Sequence, residues 1–266
     1  EFQNDNNLFV DGRVGQQTLE RLIKFAKSKT YKKEEFSQDP SKKNETQNLK
    51  NRIGKIEELQ ILDALGNILR SRKLYSEAVL VYDRALGLIA APEQKHWIYY
   101  YARGTSYERI KNWPLAENDL KKALDLYPDQ PLVLNYLGYS WVDQGINLDQ
   151  GMQLIERAVS LKPDDGYIVD SLGWAHFKRK NYKEAVRYLE RAVELRPEDP
   201  VLNDHLGDAL WYVGRQREAK FQWDQSLSLN PEPEDAAKTR IKIQSGLSQD
   251  EGTAHTLADT DKFASP

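Results

Sequence analysis

Along residues 182–195, apolar side chains recur at Tyr182, Val186, Leu189 and Val193, with charged residues between them. Steps of three and four are the stripe of an amphipathic helix. The stretch 170–197 divides into two such helices, and the first carries Gly173 in its interior. A mid-helix Gly costs about 1 kcal/mol relative to Ala. Ala185 and Ala192 are equally small on the packed face of the second helix. Small residues on a buried face predict that a neighbouring helix comes too close for anything larger.

The same small residues recur along the chain. Gly104, Gly138, Gly173 and Gly207 are spaced 34, 35 and 34, and Pro128, Pro163, Pro197 and Pro231 are spaced 35, 34 and 34. Ala123, Ala158 and Ala192 follow the same period, and an earlier copy holds Gly66, Ala78 and Ala85, with "APEQKHW" lengthening the turn to Gly104. Such a period marks stacked helix pairs, here at about 59–96, 97–130, 131–165, 166–199 and 200–233. The eighth position (Gly66, Gly104, Gly138, Gly173, Gly207) is predicted to meet the twentieth (Ala78, Ala116, Ala185, Ala219). A bulky residue there overpacks by typically 1–3 kcal/mol. Each Pro ends the second helix, because the residue before Pro disfavours the helical region. The third repeat inserts one residue in "QGINLDQGM" and puts Gly151 at the twentieth position, which suggests a loosened pair. In the second, Arg103 replaces the usual Leu and is expected to keep its charge in water.

The runs "YLGYSWVDQG", "SLGWAHFKRKNY" and "HLGDALWYVG", with "EAVRYLERAVELRP" and "EAKFQWDQSLSLNP", resemble the tetratricopeptide repeat family. The resemblance implies an all-α, right-handed superhelical solenoid of about five full repeats plus a C-terminal capping helix. It also implies a concave wall lined by first-helix positions. Transferred residue by residue, the partner-binding groove holds Tyr101, Asn135, Tyr139, Asp170, Trp174, Lys178, Asp204, Asp208 and Tyr212. The acids on that wall would repel the terminal carboxylate that the family's best-known members clamp. They favour an extended segment carrying Lys or Arg, with the aromatic side chains as anchors. The longer runs 128–177 and 200–235 resemble exported tetratricopeptide proteins of Gram-negative bacteria. Some of these are outer-membrane lipoproteins, and some are adaptors that bring substrates to, and activate, carboxyl-terminal processing proteases of the periplasm. That resemblance implies a periplasmic or outer-membrane-associated scaffold.

Outside the repeats, residues 1–27 read as an N-terminal helix, a candidate truncated repeat. Residues 28–52 read as a Lys-rich flexible linker, and the repeats occupy 53–233. Residues 234–247 read as a capping helix with Ala237, Ile241 and Leu247 inward, and 248–266 as a disordered tail. The sequence lacks an initiating Met and an export signal, as a fragment or processed form would.

Composition narrows the chemistry. The 266 residues carry 38 Lys+Arg against 41 Asp+Glu, formally −3, without the basic excess of a general nucleic-acid binder. No run approaches the roughly 20 apolar residues of a membrane span. With no Cys, disulfides, thiolate zinc sites and cysteine nucleophiles are excluded. His96, His176, His205 and His255 show no i, i+4 pairing, and phosphate-loop and nucleophile-elbow motifs are missing. Asp204–His205 are adjacent, and neighbours on a helix do not face each other. The residues therefore predict no catalytic group, metal or cofactor, and a non-enzymatic scaffold for a protein or peptide. A helical-repeat RNA reader is the alternative, disfavoured by the acidic wall because phosphates need Lys or Arg.

Overall fold

A computed structural model describes residues 40–248, and side chains from residue 54. The predictions for residues 1–39 and 249–266 lie outside it. The described residues are all-helical. They fall into two compact units that meet in sequence at Leu126 and Tyr127.

The first unit contains α1 (Pro40–Ser71), α2 (Tyr75–Gly87), a 3-10 turn (Gln94–His96), α3 (Trp97–Arg109) and α4 (Trp113–Leu126). The linker expected over 28–52 is therefore helical from Pro40 onward. The extra residues before the second repeat form the 3-10 turn, closed by a Glu93 N–H bond to His96 Nδ1 of 2.8 Å. Leu62, Leu65 and Leu69 of α1 pack on Ala78, Val81, Tyr82 and Ala85 of α2 and on Ala102 of α3. Arg103 does not keep its charge in water. Its guanidinium makes two 2.7 Å bonds to Asp119, whose side chain is buried, and a third of 2.7 Å to Asp83. It ties α3 to both α2 and α4, which a Leu could not do.

The second unit contains α5 (Pro131–Asp143), α6 (Leu148–Leu161), α7 (Gly166–Lys178), α8 (Tyr182–Leu195), α9 (Pro200–Tyr212), α10 (Gln216–Ser228) and α11 (Pro233–Ser245). Its first helices start at equivalent points because their caps are equivalent. The Asp165 carboxylate accepts from the N–H groups of Tyr167 and Ile168, and Asp199 from those of Val201 and Leu202. Gln130 accepts from Leu132. Such caps satisfy N–H groups that the helix itself leaves open. Lys162 and Arg196, each before a Pro, adopt non-helical conformations and end α6 and α8.

The turn inside each helix pair repeats as closely as the helices. Lys73, Lys111, Gly145, Lys180 and Gly214 all have positive φ, from 58° to 84°. The next N–H in each case reaches back five residues, as from Leu74 to Leu69 and from Asn181 to His176, both 2.9 Å. This is the Schellman closure of a helix.

The eighth-position glycines are seats for a large residue rather than only for the small one at position twenty. A Cβ on Gly173 would lie 2.6 Å from Leu189 Cγ, and one on Gly138 would lie 2.9 Å from Ile155 Cγ1. Tyr82 and Trp223 cover Gly66 and Gly207 in the same register. The twentieth residue contributes mostly its backbone: Ala116 and Ala219 carbonyl oxygens would lie 3.2 and 3.1 Å from such a Cβ on Gly104 and Gly207. The third pair is not loosened. Cβ atoms on Gly138 and Gly151 would lie 2.7 and 2.9 Å from each other's carbonyl oxygens, so Gly151 draws the two backbones together. Gly54 of α1 has open space around it. Gly54→Ala is therefore expected to stabilise by about 0.5–1 kcal/mol, and Gly138→Ala to destabilise by about 1–3 kcal/mol. Thermal melts of the two variants check the opposite signs.

Candidate functional site

The first helices of the second unit pack side by side, α7 touching α5 and α9. Their facing sides carry most of the sequence-predicted groove residues. Asn135, Tyr139, Asp170, Trp174 and Asp208 are each only 2% exposed. Lys178, Asp204 and Tyr212 are partly buried. Tyr101 belongs to the first unit, where it is buried and its ring lies 5.9 Å from that of Trp97. The reading of Asn135, Tyr139, Asp170, Trp174, Asp208 and Tyr101 as open docking residues is thus corrected: neighbouring helices cover them.

The acids of this wall are engaged internally. Asp143 accepts from Trp174 Nε1 at 3.3 Å and pairs with Lys178 Nζ at 3.4 Å. Both oxygens of Asp170 lie 3.0 Å from His205 Nδ1, one repeat later. His205 stacks on Trp174 at 4.1 Å, and Trp174 stacks on Phe177 at 4.7 Å. Asp208 accepts from Trp223 Nε1 at 2.9 Å and from Lys242 Nζ at 2.8 Å. Asp204 accepts from Lys242 Nζ at 2.6 Å and from Thr239 at 2.9 Å. Each acid of α5, α7 and α9 on this wall has a donor from its own or the next repeat. The expected attraction for a Lys- or Arg-bearing segment loses its basis.

The inward stripe of α11 also differs from expectation. Ala236, Thr239 and Lys242 are buried, while Ile241 is 62% exposed. The stripe runs through Ala236, Thr239 and Lys242 in place of Ala237 and Ile241 because the surface beneath it is polar. Thr239 and Lys242 answer Asp204 and Asp208, and an Ile at 242 would take away the cation that both acids share. Leu247 does pack against the core, and its carbonyl accepts from Trp211 Nε1 at 3.0 Å.

Burial and the shared cation set the protonation of this cluster. Burial pushes the Asp208 carboxyl up to about 6, against the pull of Lys242 and with a further push from Asp204. At Asp204 burial pushes the same way, but Lys242 overrides it and holds the carboxyl below the usual range. Burial pulls the Lys242 ammonium down, and the two acids more than offset it.

The Asp170–His205 pair has the outline of a catalytic dyad, and sequence reasoning passed over it. The signal was available, since the residues sit at the fifth and sixth positions of adjacent repeats, 35 apart. Asp204 and Thr239, also 35 apart, form the same contact one step on. His205 is 1% exposed, so the pair is sealed from any substrate. Asn135 occupies the fifth position of the third repeat, and its side-chain oxygen Oδ1 has no hydrogen-bond partner among the described residues. No group of three or more His, Asp or Glu among those residues is placed to hold a metal. No described helix is long and apolar enough to cross a membrane.

An Asp with a raised folded-state pKa contributes stability below its unfolded value of 3.8 and loses it as pH rises through about 6. Stability of the protein should therefore carry a falling component between pH 4 and 6, of at most about 1.4 kcal/mol per pH unit. Asp208→Asn should remove that component, as read from urea melts across the range. Asp204→Arg combined with Asp208→Arg should lower the melting temperature sharply, because both Arg side chains would face Lys242.

Family models described as tetratricopeptide repeat match residues 61–95, 101–166 and 169–199. The TPR repeat-containing protein PA4667 of Pseudomonas aeruginosa is 33% identical over 101 residues, 38% of this chain. That match spans 17% of the Pseudomonas protein's length. Among solved structures, Pseudomonas aeruginosa PilF is similar with a TM-score of 0.59 at 18% identity, over 76% of this chain and 89% of PilF. The thermophilic TPR protein TTC0263 of Thermus thermophilus follows with 0.58 at 18% identity, over 71% and 98% of the two chains. MamA from Desulfovibrio magneticus RS-1 gives 0.53 at 17%, over 65% and 94%. These likenesses show a shared fold.

Proposed function

We propose that this chain, which carries tetratricopeptide repeats, is a non-enzymatic scaffold that holds a partner protein. Such repeats mediate protein–protein contacts. The observation that carries the reading is the sealing of the Asp170–His205 pair beneath Trp174. The arrangement closest to a reaction centre is spent on joining two repeats. Rigid stacking of that kind lowers the ordering cost of binding.

The finer reading is an adaptor of a carboxyl-terminal processing protease in the bacterial envelope, supported by the resemblance of the 128–177 and 200–235 runs to exported proteins of this kind. Docking falls to the margins of the first-helix wall, where Tyr167, Lys178, Asp204 and Tyr212 remain partly accessible. Because the wall's acids are already partnered, recognition there rests on shape and aromatic contact more than on negative charge. Titration of the chain with a purified periplasmic processing protease should give saturable binding and faster cleavage of the protease's substrate. A Lys/Arg-rich competitor peptide should leave that binding unchanged. Absence of binding would remove the adaptor reading, and displacement by the basic peptide would restore an acidic docking wall.

A further inference from the structure

Beside the turn between α7 and α8 lies a cleft of about 710 Å³, lined by Lys180, Tyr182, Lys183, Glu184 and Tyr212 among others. Its size falls within the roughly 300–1,000 Å³ of clefts that hold ligands. Its floor is aromatic and fixed. The rings of Tyr182 and Tyr212 stack at 4.6 Å, and Phe177 meets them edge-on at 5.4 and 5.5 Å. The Tyr212 hydroxyl donates to the carbonyl of Ser248 at 2.7 Å, which holds that ring in place. A floor already in place costs little to order on binding.

The rim is positive, and its cations differ from their neighbours. Arg179, just before Lys180, bonds Asp149 at 2.7 Å. Arg215, just past Val213 and Gly214, bonds Glu218 and Glu190, each at 2.8 Å. Glu184, the acid of the lining, is taken by Arg187 at 2.9 Å. Lys180 and Lys183 line the cleft, are exposed, and have no acidic partner among the described residues. Two open cations beside an aromatic floor are complementary to carboxylates that flank an aromatic side chain. A nucleic-acid single strand fits less well. Two cations neutralise few phosphates, and Tyr182 and Tyr212 already spend a ring face each on one another.

We infer that the cleft at the α7–α8 turn docks an acidic segment of a partner protein, with carboxylates on Lys180 and Lys183 and an aromatic side chain on the Tyr182–Tyr212 stack. This site rests on the scaffold reading and does not require the protease as partner. It adds a charge preference that the first-helix wall lacks, because the wall's Asp143, Asp204 and Asp208 already pair with Lys178 and Lys242. Exposed charges of this kind act largely on association, so binding is tighter at low salt.

Fluorescence anisotropy of the whole chain with a labelled Glu-Glu-Phe-Glu-Glu peptide, capped at both ends, tests this at low salt. Saturable binding is expected, and the same peptide with Gln for Glu should not bind. Lys180→Glu/Lys183→Glu should weaken binding about tenfold and take up a Lys-Lys-Phe-Lys-Lys peptide instead. Lys55→Glu/Lys162→Glu makes the same change of net charge at exposed lysines outside the cleft, and should leave binding intact. All four lysines are exposed, so unchanged melting temperatures serve as the folding control. Absence of saturable binding to the wild type would overturn the proposal, whatever the protease titration gives. Peptide binding without protease binding would uphold it and remove only the adaptor reading. Equal loss in the two charge reversals, retained affinity for the Gln peptide, or displacement of the peptide by a uridine oligonucleotide would overturn it as well.

Discussion

The contact on which the second unit most depends is a buried acid on one first helix bonded to a donor on the next. Asp170 to His205 and Asp204 to Thr239 are the same contact repeated, and Lys242 adds a cation between Asp204 and Asp208. Removing the partner of a fully buried acid such as Asp170 leaves a charge without solvent or counter-charge, at a cost of about 3–5 kcal/mol. Replacing the whole set with apolar residues could be neutral. What the polar pairs add is register: an acid finds its donor only when the repeats stack in the right alignment.

A second constraint works within each helix pair. The glycines at Gly66, Gly138, Gly173 and Gly207 let Tyr82, Ile155, Leu189 and Trp223 lie across the first helix. At Gly207 the two constraints meet. The Trp223 ring that sits on the glycine also donates to Asp208, so close packing and the polar network share one side chain. The first unit uses ions differently, joining three helices through Arg103, Asp83 and Asp119.

Much of the fold was legible because small residues and prolines are read by position. The Gly and Ala that recur at the repeat period lie where helices touch, and Pro128, Pro163, Pro197 and Pro231 lie where second helices have stopped, so the period survived differences in everything between. The candidate site was less legible, because charge was read as composition along a wall. Asp170, Asp204 and Asp208 look like a negative surface until each is matched with a residue about one repeat away, or with Trp223 fifteen residues on. The α11 stripe failed for the same reason: an apolar inner face was assumed, and the surface it covers asks for Thr239 and Lys242. Likewise Gly151 looked like a defect, and only the mutual approach of its carbonyl and that of Gly138 shows it as a closer fit.

The central claim is that the acids of the first-helix wall hold repeats together and do not wait for a ligand. A double-mutant cycle on unfolding free energy, with Asp204→Ala, Lys242→Ala and the pair, isolates that interaction. The account requires a coupling of about 1.5–3 kcal/mol favouring the native pair, within the range for directly bonded groups. A coupling near zero, with each single variant as stable as the parent, would contradict it and return Asp204 to the surface as a free charge.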